Sequence, residues 1–273
     1  HIQEVDDTFV NLTMRKKIIG LALLSSIVPL VVFFILLIRF QGVVTEKTSM
    51  ELEHVYRSNV AQIAKDVYGL CNAANDIIQQ KINNGLSVAG LVIEREGSIR
   101  LSSGRAEWNA VNQFTQASSE VMLPEMLLGN RRFGQNSSFS EQTPVVDEVQ
   151  SLVGSTCTIF QRMNDDGDML RIATNVKNFN NRRAIGTYIP ARNPDGTPNA
   201  VVSTVLAGNT YRGRAYVVND WYLTAYRPLR DNDGDIIGML YVGEKIEAVA
   251  SLRNAIQNIE VGNTGYVAVL QGT

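Results

Sequence analysis

Histidine, cysteine and proline are all scarce in this chain. Its 273 residues include two histidines, His1 and His54, two cysteines and seven prolines. The sequence contains no nucleophile elbow, phosphate-binding loop or HExxH motif, and histidine is the commonest general base. We therefore predict that the protein is not an enzyme, that it holds no metal ion and that it needs no cofactor.

The charges are balanced, without an excess of basic residues. Lysine and arginine number 25, aspartate and glutamate number 27, and the formal net charge is −2. A nucleic-acid-binding protein carries a basic patch or stripe that neutralises phosphates. The composition therefore predicts no nucleic-acid partner.

Two cysteines, Cys71 and Cys157, are too few for a disulfide scaffold. One bridge would persist outside the cytoplasm, where thiols oxidise. The alternative, which we favour, is a pair of buried free thiols.

The most informative segment is the run of 21 apolar residues at positions 18–38. As a helix it measures about 31 Å, close to the hydrocarbon thickness of a bilayer, roughly 30 Å. It contains no charge, and its one proline, Pro29, is tolerated in membrane helices. We predict a transmembrane helix over residues 18–38.

Basic residues fix the orientation of this helix. Arg15, Lys16 and Lys17 precede the run, so the positive-inside bias places residues 1–17 in the cytoplasm and the chain after residue 40 outside. A cleaved signal peptide is the alternative, but the run is long for one and lacks a small-x-small cleavage site. Because the chain begins with His1 and stops inside a strand-like stretch, we expect a fragment of a longer protein.

A second helix is predicted over residues 41–83. Apolar residues recur there at steps of three and four, from Leu52 through Val67 to Ile82. The part nearest the membrane has no other segment of its own chain to pack against. We therefore expect a stalk that pairs with the same helix of a second subunit.

From residue 155 onward the pattern changes to short strands. Five are predicted, at residues 156–163, 169–175, 214–219, 221–227 and 235–243, with a short segment around 201–206. Aspartate-glycine turns join two of the pairs; the turn at 231–235 lacks the twelfth-position glutamate of a calcium loop, where Val242 stands. An amphipathic helix over 244–258 follows. Residues 84–150 are irregular, with a possible hairpin at 91–100 and a short helix at 108–119.

Aromatic and basic residues concentrate in the last strands and suggest a ligand pocket. Alternation places Arg212, Arg214 and Tyr216 on one face of a strand, and Tyr222, Thr224 and Tyr226 on one face of its neighbour. Aromatic walls with a few hydroxyls and a guanidinium are typical of small-ligand sites. The alternative is that the aromatics are sheet core and the arginines reach solvent.

Several blocks of the sequence together resemble the Cache sensor domains of bacterial receptors, in particular the type-3/type-2 Cache fusion. The similar blocks are 108–115 (WNAVNQFT), 134–136 (GQN), 143–154 (TPVVDEVQSLVG), 158–175 (TIFQRMNDDGDMLRIATN), 183–191 (RAIGTYIPA) and 210–243 (TYRGRAYVVNDWYLTAYRPLRDNDGDIIGMLYVG). The resemblance covers most of residues 45–273.

This resemblance implies an α+β, PAS-like module: a long helix leading into an antiparallel five-stranded sheet that holds a small metabolite. It places the sensor at residues 84–258 and the start of a second, truncated module at 259–273. Thr224 and Tyr226 stand where citrate sensors carry basic residues, which argues against a tricarboxylate, although Arg212 or Arg214 could supply charge. The implied ligand is an organic acid or an amino acid.

The implied function is the ligand-sensing part of a methyl-accepting chemotaxis receptor. Such a receptor is a homodimer in the bacterial inner membrane, with its sensor in the periplasm or outside the cell and its signalling partners in the cytoplasm. The alternative is the sensor of a membrane histidine kinase or diguanylate cyclase. We expect a ligand-dependent helix displacement of about 1–2 Å to carry the signal.

Overall fold

The computed structural model describes residues 14–245, 259–261 and 265–266. These residues form three helices and eleven strands. The chain divides into two compact units, His1–Val67 and Tyr68–Thr273. The predicted α+β class is confirmed.

The first helix, α1 (Met14–Glu96), begins in the first unit and ends in the second. Its apolar segment is long and apolar enough to cross a membrane, with an 18-residue window of mean hydropathy 3.0 that is nowhere buried within the molecule. Both serines of this segment, Ser25 and Ser26, donate hydroxyl hydrogen bonds to the carbonyl of Ala22. Because these hydroxyls are satisfied inside the helix, the segment is compatible with a lipid environment.

In the second unit, α1 buries one face and continues beyond the predicted end at residue 83. Ile82, Leu86, Ala89 and Ile93 repeat at helical spacing, and all are buried in the core. The helix ends at Glu96 because Gly97 adopts a φ of 105°, a left-handed conformation that favours glycine. The hairpin expected at residues 91–100 is therefore wrong: the Glu96-Gly97 pair is a helix end.

Nine strands form one sheet in the order β3-β2-β1-β6-β5-β4-β9-β8-β7. All neighbours are antiparallel except β1 and β6, which are parallel. The strands are β1 (Ile99–Asn112), β2 (Ser118–Leu128), β3 (Arg131–Arg132), β4 (Thr156–Arg162), β5 (Met169–Thr174), β6 (Thr187–Ile189), β7 (Tyr211–Val217), β8 (Asp220–Arg230) and β9 (Ile236–Lys245).

The five predicted strands are the contiguous half β5-β4-β9-β8-β7, each found close to its expected position. The sheet is larger because residues 99–132, left mostly unassigned by the sequence, add β1, β2 and β3, and residues 187–189 add β6. It is mixed because β1 and β6 are parallel. The short helix expected at 108–119 is wrong: buried Trp108 and Ala110 alternate with exposed Asn109, which is strand periodicity.

The remaining elements are short. Helix α2 (Val146–Val153) precedes β4, and helix α3 (Ala200–Leu206) forms the segment expected around 201–206. The acidic sequence at 231–235 is a hairpin turn, in which the Asp231 amide donates to the Asp235 carbonyl at 3.0 Å. Strands β10 (Glu260–Val261) and β11 (Gly265–Tyr266) pair with each other. The helix expected at 244–258 lies outside the described residues, except that β9 continues through Lys245.

The two faces of the sheet pack against different helices. One face contributes Ile159, Leu240 and Val242 to a core completed by α1 and α2. The opposite face contributes Phe160, Met239 and Tyr241 to a second core, and α3 covers this side with Val201, Val202 and Val205. We call this second side the α3 face.

Candidate functional site

The six residues predicted for the pocket fall on opposite faces of the sheet. In the β7–β8 ladder, Arg212 lies opposite Ala225, Arg214 opposite Leu223 and Tyr216 opposite Trp221. Directly opposed residues share a face, so these three point away from the α3 face. Tyr222, Thr224 and Tyr226 lie opposite Ala215, Gly213 and Tyr211, and they point towards it.

The first set, on β7, is largely exposed. The Arg212 Nε donates to Asn83 Oδ1 of α1 at 3.2 Å. The Arg214 guanidinium lies 5.3 Å from the Trp221 ring centroid, and Tyr216 meets the same ring edge-on at 5.7 Å. These contacts make a stacked surface group at the sheet edge.

The second set, on β8, is buried. Tyr222, Thr224 and Tyr226 are each at most 2% exposed. Thr224 Oγ1 donates to the Gly213 carbonyl at 2.9 Å, so its hydroxyl fastens β8 to β7. The Tyr226 ring lies 5.0 Å from that of Tyr241, and Tyr241 shares a close hydroxyl pair, 3.1 Å, with Thr156.

Arg171 of β5 lies beside these tyrosines, and sequence reasoning did not identify it. It is 0% exposed, and its guanidinium sits 4.8 Å above the Phe160 ring. One nitrogen, Nη1, donates to the Thr187 hydroxyl, while Nε and Nη2 are buried and have no hydrogen-bond partner among the described residues. The available sequence signal was a single charged residue in the segment MLRIAT, whose other residues are apolar except Thr174.

The burial of Arg171 has electrostatic consequences. Desolvation lowers the pKa of Arg171 to about 10, while interactions with Tyr226, Tyr241 and Tyr222 act in the opposite direction. Burial also raises the pKa of each of these three tyrosines. At neutral pH the site therefore holds one cationic guanidinium among neutral phenols.

Arg183, the other deeply buried arginine of the described chain, has the hydrogen bonds expected of a structural residue. Its Nη1 and Nη2 hold the two carboxylate oxygens of Asp147 at 2.7 Å each, and its Nε donates to the Ser138 carbonyl at 2.7 Å. Further bonds reach the carbonyls of Thr174 and Glu141. Arg183 is saturated by its own chain, whereas Arg171 is not.

The two open nitrogens of Arg171 form a defined recognition element. The Nε–H and one Nη2–H of a guanidinium are parallel and coplanar, so together they match the two oxygens of a carboxylate. A buried charge is normally paired, because an unpaired one is costly to desolvate. We name Arg171, Phe160, Tyr222, Tyr226 and Tyr241 the guanidinium cluster; its chemistry suits an organic anion with an apolar or aromatic-compatible body.

A cavity of about 340 Å³ lies next to this cluster, along the edge strand. We call it the β7 cavity. It brings together three of the six predicted residues, Arg214, Tyr216 and Tyr226. Tyr226 belongs both to the cavity lining and to the guanidinium cluster, so the two adjoin.

The cysteines and acidic groups do not add a second centre. Cys71 and Cys157 are both free, as favoured from the sequence, but only Cys157 is buried, and burial raises the pKa of its thiol. Among the described residues, no group of three or more histidine, cysteine, aspartate or glutamate side chains could hold a metal ion.

Comparison with known proteins identifies the family of this chain. No curated protein matches the chain. A family model described as the Cache 3/Cache 2 fusion domain matches residues 45–273, which include residues 45–96 of α1 and every strand of the sheet. Cache domains are extracellular sensor modules of signalling receptors, and they bind small molecules. The chain belongs to the Cache 3/Cache 2 fusion family.

Proposed function

We propose that this chain is the ligand-sensing part of a bacterial methyl-accepting chemotaxis receptor. In this proposal, α1 anchors it in the inner membrane, the sheet lies in the periplasm or outside the cell, and the guanidinium cluster binds a small carboxylate. An organic acid or an amino acid is the expected class of ligand.

The observation that carries this proposal is the open guanidinium of Arg171. A chain that buries a cation with two unsatisfied donors maintains a feature that reduces its own stability. Such features concentrate at functional sites, where a ligand supplies the missing partner. Within a family of small-molecule sensors, a ligand carboxylate is the natural partner.

The geometry also supports a route from this cluster to α1. Neighbouring residues in a strand point to opposite faces, so Arg227 follows Tyr226 and Val242 follows Tyr241 on the side of α1. A Cβ at Gly90 would lie 2.8 Å from Arg227 Nη2, which shows how closely α1 approaches the sheet. Glu244 of β9 forms an ion pair of 3.0 Å with Lys81 of α1. A ligand that repositions the tyrosines would thereby bias the position of the helix.

A binding screen tests the ligand site. The chain in nanodiscs is heated with small organic acids and amino acids, and the midpoint of unfolding is followed by tryptophan fluorescence. Both tryptophans, Trp108 and Trp221, lie in the second unit, so the signal reports the sensor. Any hit is then titrated against Arg171→Met and Arg171→Lys.

Arg171→Met should weaken binding by about 30-fold or more, because loss of one partner of a buried charge pair costs about 2–5 kcal/mol. Arg171→Lys should recover only part of the affinity, since an ammonium lacks the planar fork. The matched control is Arg182→Met, which removes an exposed arginine. Unchanged affinity in Arg171→Met would reject the site.

Dimerisation through α1 is a second part of the proposal. In the first unit, Leu52, Val55 and Val60 repeat on one side of the helix and are exposed, with Val55 55% exposed. A second copy of the same helix would cover this apolar stripe.

Disulfide cross-linking tests the dimer and its signalling. Single cysteines are placed at Leu52, Val55 and Val60 in a Cys71→Ser background, because Cys71 is partly exposed and would cross-link itself. Positions on the stripe should cross-link faster than Arg57→Cys, and the rates should change when a hit from the screen is added. Equal rates at all positions would reject the helix interface.

The chemotactic output needs a separate measurement in the producing bacterium. Movement up a gradient of the identified ligand should be lost in an Arg171→Met strain and retained in an Arg182→Met strain. If swimming is unaffected but ligand changes response-regulator phosphorylation or cyclic di-GMP, the receptor instead controls a histidine kinase or a diguanylate cyclase.

A further inference from the structure

The lining of the β7 cavity includes a buried polar atom that has no partner among the described residues. Gln113 follows the end of β1, is 7% exposed and lines the cavity. Its Oε1 is buried and accepts no hydrogen bond from the part of the chain that the structure describes. The lining also includes Ile189, Val201, Tyr211, Arg214 and Tyr226.

Two hydrogen bonds hold the backbone of Gln113. Its amide donates to the Tyr188 carbonyl at 3.1 Å, and its carbonyl accepts from the Gln116 side chain at 3.0 Å. The open Oε1 is therefore not the result of a loose segment. An amide oxygen buried without a donor reduces stability, and a ligand that supplies a donor would reverse this effect.

The cavity opens at the sheet edge and reaches the α3 face, on which the guanidinium cluster lies. Ile189 of β6, which lines the cavity, is opposite Met169 of β5. Met169 and Arg171 are two residues apart in one strand, so both point to the α3 face. Tyr226 joins the two regions, since it lines the cavity and interacts with the Arg171 charge.

We propose that one ligand occupies both regions, with its carboxylate on Arg171 and an ammonium or hydroxyl group donating to Gln113 Oε1. This inference rests on the proposed function, and it narrows the ligand class to carboxylates that carry a second, hydrogen-bond-donating group. Simple carboxylates would satisfy Arg171 and leave Gln113 open. The site would therefore prefer amino or hydroxy acids to the unsubstituted acid of equal length.

Matched acids test this preference. The three-carbon probes are propionate, L-lactate, L-alanine and β-alanine, and the four-carbon probes are succinate, L-malate and L-aspartate. Each is titrated calorimetrically into the wild-type chain in nanodiscs and into Gln113→Met, Gln113→Glu and Arg171→Met. Gln142→Met, which replaces an exposed amide, is the matched control.

In the wild type, a hydroxy acid should bind about 3- to 10-fold more tightly than the unsubstituted acid, the range expected for one neutral hydrogen bond. An amino acid should bind more tightly by about 10-fold or more, because its ammonium is a charged donor. Gln113→Met should abolish this preference while changing the affinity of the unsubstituted acid by less than about twofold. Gln113→Glu keeps the acceptor and adds a charge, so it should favour ammonium over hydroxyl probes. Gln113→Glu also tests the role of Gln113 if Gln113→Met fails to fold.

The outcomes separate this inference from the proposed function. Equal affinity for substituted and unsubstituted acids, with all of it lost in Arg171→Met, would overturn the role of Gln113 and leave the carboxylate site standing. A donor preference that survives Gln113→Met would also overturn that role, as would the absence of any shift towards ammonium probes in Gln113→Glu. No binding of any probe at about 10 mM, or binding unaffected by Arg171→Met, would overturn both.

Discussion

Substitution by methionine should have opposite effects on the free energy of unfolding at Arg171 and at Arg183. In Arg171→Met, a buried cation with two unpaired donors gives way to an apolar side chain of similar length. In Arg183→Met, the carboxylate of Asp147 loses both of its guanidinium bonds. Without ligand, we expect the first variant to be more stable than the wild type and the second to be much less stable.

The expected changes in stability follow from the polar groups that each substitution removes or leaves unpaired. Each unsatisfied donor costs about 1–3 kcal/mol, against which Arg171→Met loses a cation–π contact with Phe160 of about 1–2 kcal/mol. Thr187 keeps its 2.9 Å hydrogen bond to the Ala184 carbonyl. The net expectation is a gain of about 1–3 kcal/mol. Arg183→Met should lose about 3–5 kcal/mol, because it leaves a partly buried carboxylate without its partner.

Urea unfolding of the chain in nanodiscs, followed by tryptophan fluorescence, measures both values. The apolar segment contains no tryptophan, so the anchor does not contribute to the signal. For a domain of this size, a change of about 2 kcal/mol in the free energy of unfolding corresponds to a shift of roughly 4–8 °C in the melting temperature. A loss of stability in Arg171→Met as large as that in Arg183→Met would refute the argument, because it would show that the chain itself satisfies Arg171.

Three further predictions concern pH, packing and thiol reactivity. Binding of a carboxylate, measured by calorimetry, should be constant between about pH 6 and pH 8.5, where Arg171 is charged and the neighbouring tyrosines are neutral. It should weaken above about pH 10, because Arg171 loses its charge as the pH rises through its pKa of about 10. In urea unfolding, Gly238→Ala should destabilise the sensor by roughly 3 kcal/mol or more, since its Cβ would overlap the Phe160 carbonyl. Gly90→Ala should change stability by about 1 kcal/mol or less because the flexible Arg227 can move, and equal effects of the two variants would contradict this. A maleimide should label Cys71 alone in the native chain, and Cys157 only after unfolding, as followed by mass spectrometry. Rapid double labelling of the native protein would contradict this, because it would show that Cys157 is accessible.

Much of the fold was predictable because local periodicity agrees with the final packing. The strands that became β4, β5, β7, β8 and β9 alternate or are uniformly apolar, and aspartate-glycine turns join two of the pairs. The apolar segment of α1 was equally clear. In these regions the local signal and the tertiary environment favour the same structure.

The errors occurred where the tertiary environment decides the outcome. The end of α1 was misread because Glu96-Gly97 suits a turn, yet Leu86, Ala89 and Ile93 keep the chain helical up to that glycine. Strand β1 was misread because it is long and irregular, with a register shift between Leu101 and Arg105 that interrupts the alternation.

The candidate site was only partly predictable. Alternation assigned each of the six residues to a face of its own strand, but it could not show that the two sets face opposite sides, because this depends on the β7–β8 register. Arg171 was missed since its importance lies in the partners that it lacks. Gln113 was missed for the same reason, as an unsatisfied buried atom has no signature in the sequence.

The structure of the chain with a bound carboxylate probe is the most direct test of the central claim. We predict carboxylate oxygens about 2.7–2.9 Å from both Nε and Nη2 of Arg171, with the ligand body among the rings of the guanidinium cluster. A bound ligand elsewhere in the sensor, with both Arg171 nitrogens still unpaired, would contradict the account.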